Sequence, residues 1–395
     1  MLRNTHLRAI VFRIVRFVDS AIFRRKALKP EEIRRVLFLK YETALGTAVN
    51  STPIFETIKR SRSDIHITVA CSSVAQGVLK HCPYIDELLP TENPHKSFWR
   101  AAFQLWYRAL KNGWTFDCAL TDSGNQKARL AFLMLGLRAT MRAGFMSDGI
   151  YHKTLSYDLA LSVLQNNMRT VELLGISSSK ATPKLFFSEQ DAAAADQILS
   201  NIPFANRGPV VAFVTQTSGG QPSRWFDDRF AVVADRIAEM PNTQIVFVGT
   251  NSEAAPIEAL RAQMKNPSVS IAGRTSIAEL SAFLCKCDLV VTLDTGTMHI
   301  ARAVGVPAVV VAAAWQPAHE WLPLDVAQIE IVRRNDIACR ECRKFYCATH
   351  ECMDEISSEM VIAAIDKWLK RYPPAPSERQ RRTTDSLTSK SPSVA

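Results

Sequence analysis

The residues best suited to chemistry lie in one run, DLVVTLDTGTMHIARAVGVPAVVVAAA, residues 288–314. Residues 289–293 are a short β-branched apolar run, as expected of a parallel strand buried on both faces. Asp294-Thr295-Gly296-Thr297 has turn chemistry, and Asp294 or Thr295 can cap a following helix. That helix ends at Gly305 and Pro307, before a second apolar strand. A helix start at the carboxyl end of a parallel strand presents N–H groups and a positive dipole end to an anion. Gly296 admits close approach of that anion, and His299 lies in the first helical turn. The chemistry this predicts is the holding of a diphosphate. The plain alternative is an ordinary βαβ crossover.

Other candidates accompany it. Residues 210–214 read as a strand, followed by Thr215, Thr217, Ser218, Gly219 and Gly220, a hydroxyl- and glycine-rich loop that suits phosphate. Glu253 follows a strand at residues 243–248, where a carboxylate can accept bonds from ribose hydroxyls or simply favour a helix first turn. Asp122 and Asn125, in the loop after the strand at residues 116–121, can contact an acceptor sugar or merely close the loop. Cys339, Cys342, Cys347 and Cys352 have the spacing C-x2-C-x4-C-x4-C with His350 nearby, which suits a structural tetrahedral zinc. The same spacing approaches that of a zinc knuckle, which binds nucleic acid.

The elements that must position these residues alternate strand and helix along most of the chain. With 395 residues and 47% apolar content, two α/β domains with separate cores are expected. A domain boundary is expected at residues 206–209, Asn-Arg-Gly-Pro. The aromatic helix at residues 96–111 is expected to bury its stripe in a core, the alternative being an acceptor-facing surface. Residues 157–174 read as one long helix.

The net charge of +10 is concentrated at the ends. Residues 1–29 carry eight basic side chains against Asp19, while the body is nearly neutral. A general nucleic-acid-binding surface is therefore not expected. Within residues 6–26, Leu7, Ile10, Val11, Ile14, Val15, Val18 and Ile22 recur at helical spacing beside arginines. Such a helix can lie in the headgroup layer of an acidic membrane, or pack on the body or a partner. Arg13 and Arg16 interrupt any secretory apolar core, and no apolar run reaches the ~18–20 residues of a membrane span. Nine cysteines, an odd number, fit a reducing compartment.

The series D-T-G-x-x-H-x-A followed by A-x-G-x-P resembles the C-terminal motif of glycosyltransferase family 9, the lipopolysaccharide heptosyltransferase family. Here it stands as Asp294-Thr295-Gly296-Thr297-Met298-His299-Ile300-Ala301 and Ala303-Val304-Gly305-Val306-Pro307, with resemblance running from about residue 34 to about residue 369. The resemblance implies a GT-B fold, α/β, with two Rossmann-like doubly wound parallel-sheet domains facing across a cleft. It places an acceptor domain at residues 30–190 and a nucleotide-sugar domain at residues 205–356. It also implies a last helix at residues 357–371 crossing back to the first domain. Residues 373–395, rich in Pro, Ser and charge, are expected to be disordered.

The implied activity is inverting, metal-independent transfer of heptose from ADP-heptose to a lipopolysaccharide-core or related lipid-linked glycan. The donor would be bound by Thr217, Ser218, Arg224, Glu253, Asp294, Thr295, Gly296 and His299. Arg224 precedes Trp225, where the family carries a basic residue; without the family it would be a surface arginine. The family's first loop ends in Leu-Gly-Asp, and that Asp is implied to be the catalytic base. Here the triplet is Leu45-Gly46-Thr47, and threonine is no base at neutral pH. Glu42 in the same loop is the candidate base, with Asp122 as a second catalytic carboxylate. No cofactor is required by this scheme, and the family carries related cysteine-rich segments without a required metal. The expected location is cytoplasmic, peripheral on the inner membrane through the N-terminal helix. The alternative is a catalytically silent nucleotide-sugar-binding or scaffold protein of the same fold, which Thr47 would favour.

Overall fold

The computed structural model describes residues 5–23, 25–145, 150–202, 208–217, 223–371 and 376–394. The chain divides into two compact units, Met1–Pro183 with Lys390–Ala395, and Lys184–Ser389.

The first unit contains β1 (Arg35–Lys40), β2 (His66–Cys71), β3 (Glu87–Pro90), β4 (Phe116–Leu120), β5 (Ala139–Gly144) and β6 (Lys153–Thr154). Its helices are α1 (Thr5–Phe23), α2 (Leu45–Val49), α3 (Thr52–Ser61), α4 (Ser73–Leu79), α5 (Phe98–Lys111), α6 (Ala128–Leu135) and α7 (Val163–Met168). The strands are parallel in the order β3-β2-β1-β4-β5-β6, and the two-residue strand Ser393–Val394 adds beside β3. β1 and β2 each bury five consecutive residues, as continuous apolar strands covered on both faces do. The order reverses direction between β1 and β4, the topological switch point where such sheets place ligands.

One layer of this unit differs from expectation. α5 buries only part of its aromatic stripe, since Phe98 and Trp106 pack against the core. Its core face is Ala101, Ala102, Leu105 and Ala109, leaving Trp99, Phe103 and Tyr107 exposed. α1 joins the same core through Phe12, whose ring meets Phe132 of α6 edge-on at 5.0 Å. The long helix expected at residues 157–174 begins only at the Ser162 cap, with its Gln165 capping box, and tightens into a 3-10 turn from Arg169.

The second unit contains β7 (Val210–Val214), β8 (Gln244–Phe247), β9 (Val269–Ser270), β10 (Leu289–Leu293), β11 (Ala308–Val311) and β12 (Ile329–Val332). Its helices are α8 (Glu189–Ser200), α9 (Asp227–Ala238), α10 (Ala254–Arg261), α11 (Ile277–Cys285), α12 (Gly296–Ala303), α13 (Ala318–Trp321), α14 (Glu351–Asp354), α15 (Ser358–Arg371) and α16 (Pro376–Ser386). The parallel sheet runs β12-β11-β10-β7-β8-β9, the same winding with its switch point between β7 and β10. Each unit is thus Rossmann-like, the GT-B class of α/β fold.

Three expected boundaries are corrected. The second unit begins at Lys184, not near residue 205, because α8 packs on α11 and Asp196 pairs with Lys286 at 2.6 Å. The helix expected to cross back, α15, belongs to the second unit, where Val361, Ile365 and Trp368 join its core. The tail expected to be disordered holds α16. Arg379 grips Asp288, with one nitrogen at 2.8 Å, and Arg382 donates to the carbonyls of Cys285 and Cys287 at 3.1 and 2.6 Å. Those buried carbonyls and carboxylate need donors, which the polar tail supplies. Among the described residues no helix is long and apolar enough to cross a membrane.

Candidate functional site

At the first switch point three charges meet. Lys40 is the last residue of β1, Glu42 lies two residues beyond, and Asp122 follows β4. The Lys40 ammonium contacts both Glu42 Oε1 and Asp122 Oδ2, and all three side chains are essentially inaccessible to solvent. Burial alone would lower the Lys40 pKa, but Asp122 and Glu42 together outweigh it and the net shift is upward. Both Asp122 oxygens are engaged, since Asn125 Nδ2 donates to Oδ1 at 2.8 Å. Asn125 in turn accepts the Tyr41 N–H through Oδ1 at 3.1 Å. Glu42 is different: Oε2 has no hydrogen-bond partner. Burial raises the Glu42 pKa, Lys40 pulls it back and Asp122 pushes it up again, leaving it above its ordinary value. One ammonium shared by two carboxylates leaves one buried negative charge in excess.

Glu42 also lines a pocket of about 410 Å³ at the carboxyl ends of β1, β2 and β3. Its other walls include Ser72, Ser73, Asn93, Lys96 and Gln104, a polar lining that suits hydroxylated ligands. Thr47, at the position of the family's aspartate, sits in α2 close to Gly124, whose added Cβ would meet Thr47 Cγ2 at 2.6 Å. Asp122 and Asn125 are buried in their own hydrogen-bond network. Lys40 was invisible to sequence reasoning as a functional residue; its signal is the position, a lysine ending an otherwise apolar strand at a switch point.

The second switch point is built from hydroxyls, a helix start, one arginine and the carboxyl of Asp294. Register places the ends of β7, β10, β11 and β12 side by side, through Val214↔Thr292, Leu293↔Val311 and Val311↔Val332. Thr215-Gln216-Thr217, Asp294-Thr295-Gly296 and Arg333 therefore share one edge. Thr295 stands at the N-terminus of α12 without capping it, and its hydroxyl has no hydrogen-bond partner. The Thr215 hydroxyl, buried on the neighbouring strand end, also has none. Unpartnered buried hydroxyls cost free energy unless something else meets them. Burial pushes Asp294 up to about 6, against the opposing pull of Arg333. Arg333 donates to the Gln316 carbonyl at 2.6 Å, and Glu341 also faces it. His299 is buried, 5.9 Å from the Trp321 ring; burial and the Arg302 charge push it down to about 3, so its imidazole is neutral at pH 7. At neutral pH it therefore offers no cation to an anion.

The remaining expected donor residues are Thr217, Ser218, Arg224 and Glu253. Thr217 is half-buried at the end of β7, and Ser218 lies outside the described residues. Arg224 is exposed near Asp227, whose pKa burial raises and Arg224 lowers. Trp225 anchors the loop, donating to the Ile356 carbonyl at 3.0 Å. Glu253 spends Oε2 on the Thr250 N–H at 2.6 Å, completing a capping box. The first-turn alternative thus describes what Glu253 does in the fold. Arg333 was missed by sequence reasoning, although it directly follows a strand end.

The cysteine-rich segment walls this edge. Glu341 and Arg343 have positive φ (58° and 54°), which turns their N–H groups onto the Ala314 and Trp315 carbonyls at 2.6 and 2.8 Å. Cys339 Sγ approaches Glu351 Oε2 at 3.7 Å, and the His350 N–H donates to Cys347 Sγ at 3.3 Å. Cys352 is buried in the core. Among the described residues no group of three or more His, Cys, Asp or Glu is placed to hold a metal ion.

The sequence matches the family model "Glycosyltransferase family 9 (heptosyltransferase)" over residues 106–352. It is 25% identical to the lipopolysaccharide core heptosyltransferase OpsX of Haemophilus influenzae over 284 residues, 70% of this chain and 78% of that one. Among solved structures, a family 9 glycosyl transferase from Veillonella parvula superposes with a TM-score of 0.76 at 20% identity, covering 88% and 99% of the two chains. The Escherichia coli ADP-heptose lps heptosyltransferase II superposes with a TM-score of 0.68 at 16% identity, covering 85% and 98%.

Proposed function

The chain belongs to glycosyltransferase family 9 and is a glycosyltransferase, and from that premise we propose that it transfers heptose from ADP-heptose to a lipopolysaccharide-core acceptor, with inversion. The names of its relatives support the donor and acceptor. The observation that carries the mechanism is the buried Glu42, raised in pKa and held by Lys40 with one oxygen unpartnered. A carboxylate whose pKa is raised is the stronger proton acceptor when ionised.

In the proposed step Glu42 Oε2 takes the proton of the acceptor hydroxyl. The hydroxyl oxygen attacks the anomeric carbon, the bond from that carbon to the diphosphate oxygen breaks, and its electron pair leaves with ADP. The start of α12, the Thr215 and Thr295 hydroxyls and Arg333 stabilise the departing diphosphate. Asp122 holds Lys40 and does not touch substrate. Oriented dipoles and an arginine do here what a metal does elsewhere, and Cys339, Cys342, Cys347 and Cys352 take no part. α1 holds the enzyme at the cytoplasmic face of the inner membrane, where a lipid-linked acceptor lies.

The test is a transfer assay with ADP-heptose and a purified heptose-deficient lipopolysaccharide core, using the parent and Glu42→Gln. Loss of roughly 10²–10⁴ in kcat with ADP affinity retained is expected. Parent-like turnover by the variant would remove Glu42 as base. A parent that turns over another nucleotide sugar but not ADP-heptose would remove the donor assignment.

A further inference from the structure

α5 carries an apolar stripe that the fold leaves uncovered. Trp99 is 76% exposed, Phe103 69%, Tyr107 53% and Leu110 65%. Their spacing of four, four and three residues places them on one helical face. Phe103 and Tyr107 stack at 5.7 Å, so the stripe is ordered. Single exposed apolar residues need no explanation, but four in a row on one face do.

α1 presents a second stripe. Ile10, Ile14 and Phe17 are 54%, 58% and 74% exposed, while Phe12 on the other side of the helix is buried against Phe132 of α6. α5 docks on the same α6, through Trp106 Nε1 and the Leu133 carbonyl at 2.8 Å. Phe12 and the α5 residues Ala102, Leu105 and Ala109 share one core cluster. Both stripes therefore belong to one helical layer of the first unit.

The charges beside them have one sign. α5 contains no acidic residue, and Lys96, Arg100 and Lys111 are exposed at or beside it. Arg13 is exposed on the stripe face of α1, and residues 1–29 hold only Asp19 against eight basic side chains. A protein partner would be recognised by shape and by charges of both signs. An aromatic stripe with Trp and Tyr, edged only by cations, fits the headgroup zone of an anionic bilayer.

We infer that α5 is a second membrane anchor, and that its stripe and that of α1 seat the first unit on an anionic lipid surface. This deepens the membrane reading of α1 and is independent of the transfer chemistry. Two anchors matter physically, because a single weak apolar contact gives marginal, reversible binding.

Flotation of the full chain with vesicles decides it. Vesicles of phosphatidylcholine with roughly 30% phosphatidylglycerol are compared with phosphatidylcholine alone. The parent is expected to float with the anionic vesicles and far less with the neutral ones. The triple variant Trp99→Ser, Phe103→Ser, Tyr107→Ser and the triple variant Ile10→Ser, Ile14→Ser, Phe17→Ser should each lose roughly tenfold or more in partition. All three proteins should melt alike and show equal turnover of a water-soluble acceptor fragment, since the changed residues are exposed. An α5 variant that floats like the parent overturns the inference, and α1 stands alone if only its variant fails. An α5 variant that floats normally but changes oligomeric state, measured by light scattering, overturns it in favour of a second copy on this face.

Discussion

The two switch points have the same topology and opposite electrostatics. In the first unit the ends of β1 and β4 bring together a lysine and two carboxylates, all buried, with negative charge in excess. In the second the ends of β7 and β10 bring together unpartnered hydroxyls, a helix start and, two strands further on, Arg333. The fold supplies the edge and the strand-end residues decide what it can hold. An excess of buried negative charge makes a proton acceptor; uncommitted donors make an anion holder.

The largest expected effect is at the first switch point. Lys40→Met leaves two buried carboxylates without their cation and should cost roughly 3–5 kcal/mol of stability, read from the urea midpoint. The same change in an Asp122→Asn background should cost clearly less, because one of the two carboxylates is then already neutral. Equal costs in both backgrounds would mean that the three groups do not act together.

At the second switch point, Arg333→Gln should weaken ADP binding roughly ten- to hundredfold, the range for losing a charged hydrogen bond. Arg224→Gln, removing an exposed arginine, should weaken it about fivefold at most. Calorimetric titration with ADP checks both, and a reversed order would move the diphosphate site to the loop before α9.

The smallest effect is a pH dependence. Asp294 has its folded pKa raised from 3.8 to about 6, so the protonated acid is favoured in the fold. Its stabilising contribution is present below pH 3.8 and is lost as pH rises through about 6. Asp294→Asn does not titrate, so its melting temperature should gain on the parent by roughly 2–4 °C between pH 4.5 and pH 7.5. A difference that is constant across that range would deny Asp294 its burial cost.

The second switch point was open to sequence reasoning because strand, turn and helix follow one another within about a dozen residues there. Thr295, Gly296 and His299 could be placed from spacing alone. The role of His299 could not, since its neutrality follows from burial beside Arg302 and Trp321. The first switch point was only half open. Glu42 stood out as the carboxylate in a loop that lacks the family's aspartate. That Lys40 joins it to Asp122, 82 residues away, depended on which strands become neighbours. α5 was only half read because aromatic periodicity does not say which face is inward; three alanines and Leu105 made the core face, with Phe98 and Trp106 at its edge. The tail was misjudged because its composition resembles that of disordered segments, while Arg379 and Arg382 found buried acceptors near the start of β10.

The chain's order of residues was sufficient for the alternation of strands and helices, the two Rossmann-like windings and the anion-facing turn at Asp294–Gly296. These depend on periodicity and turn preference within short windows. Tertiary structure alone decided which charges share a buried site, which face of α5 meets solvent and where the units divide. Burial and Coulomb interaction are set by neighbours in space, and those neighbours come from distant parts of the chain.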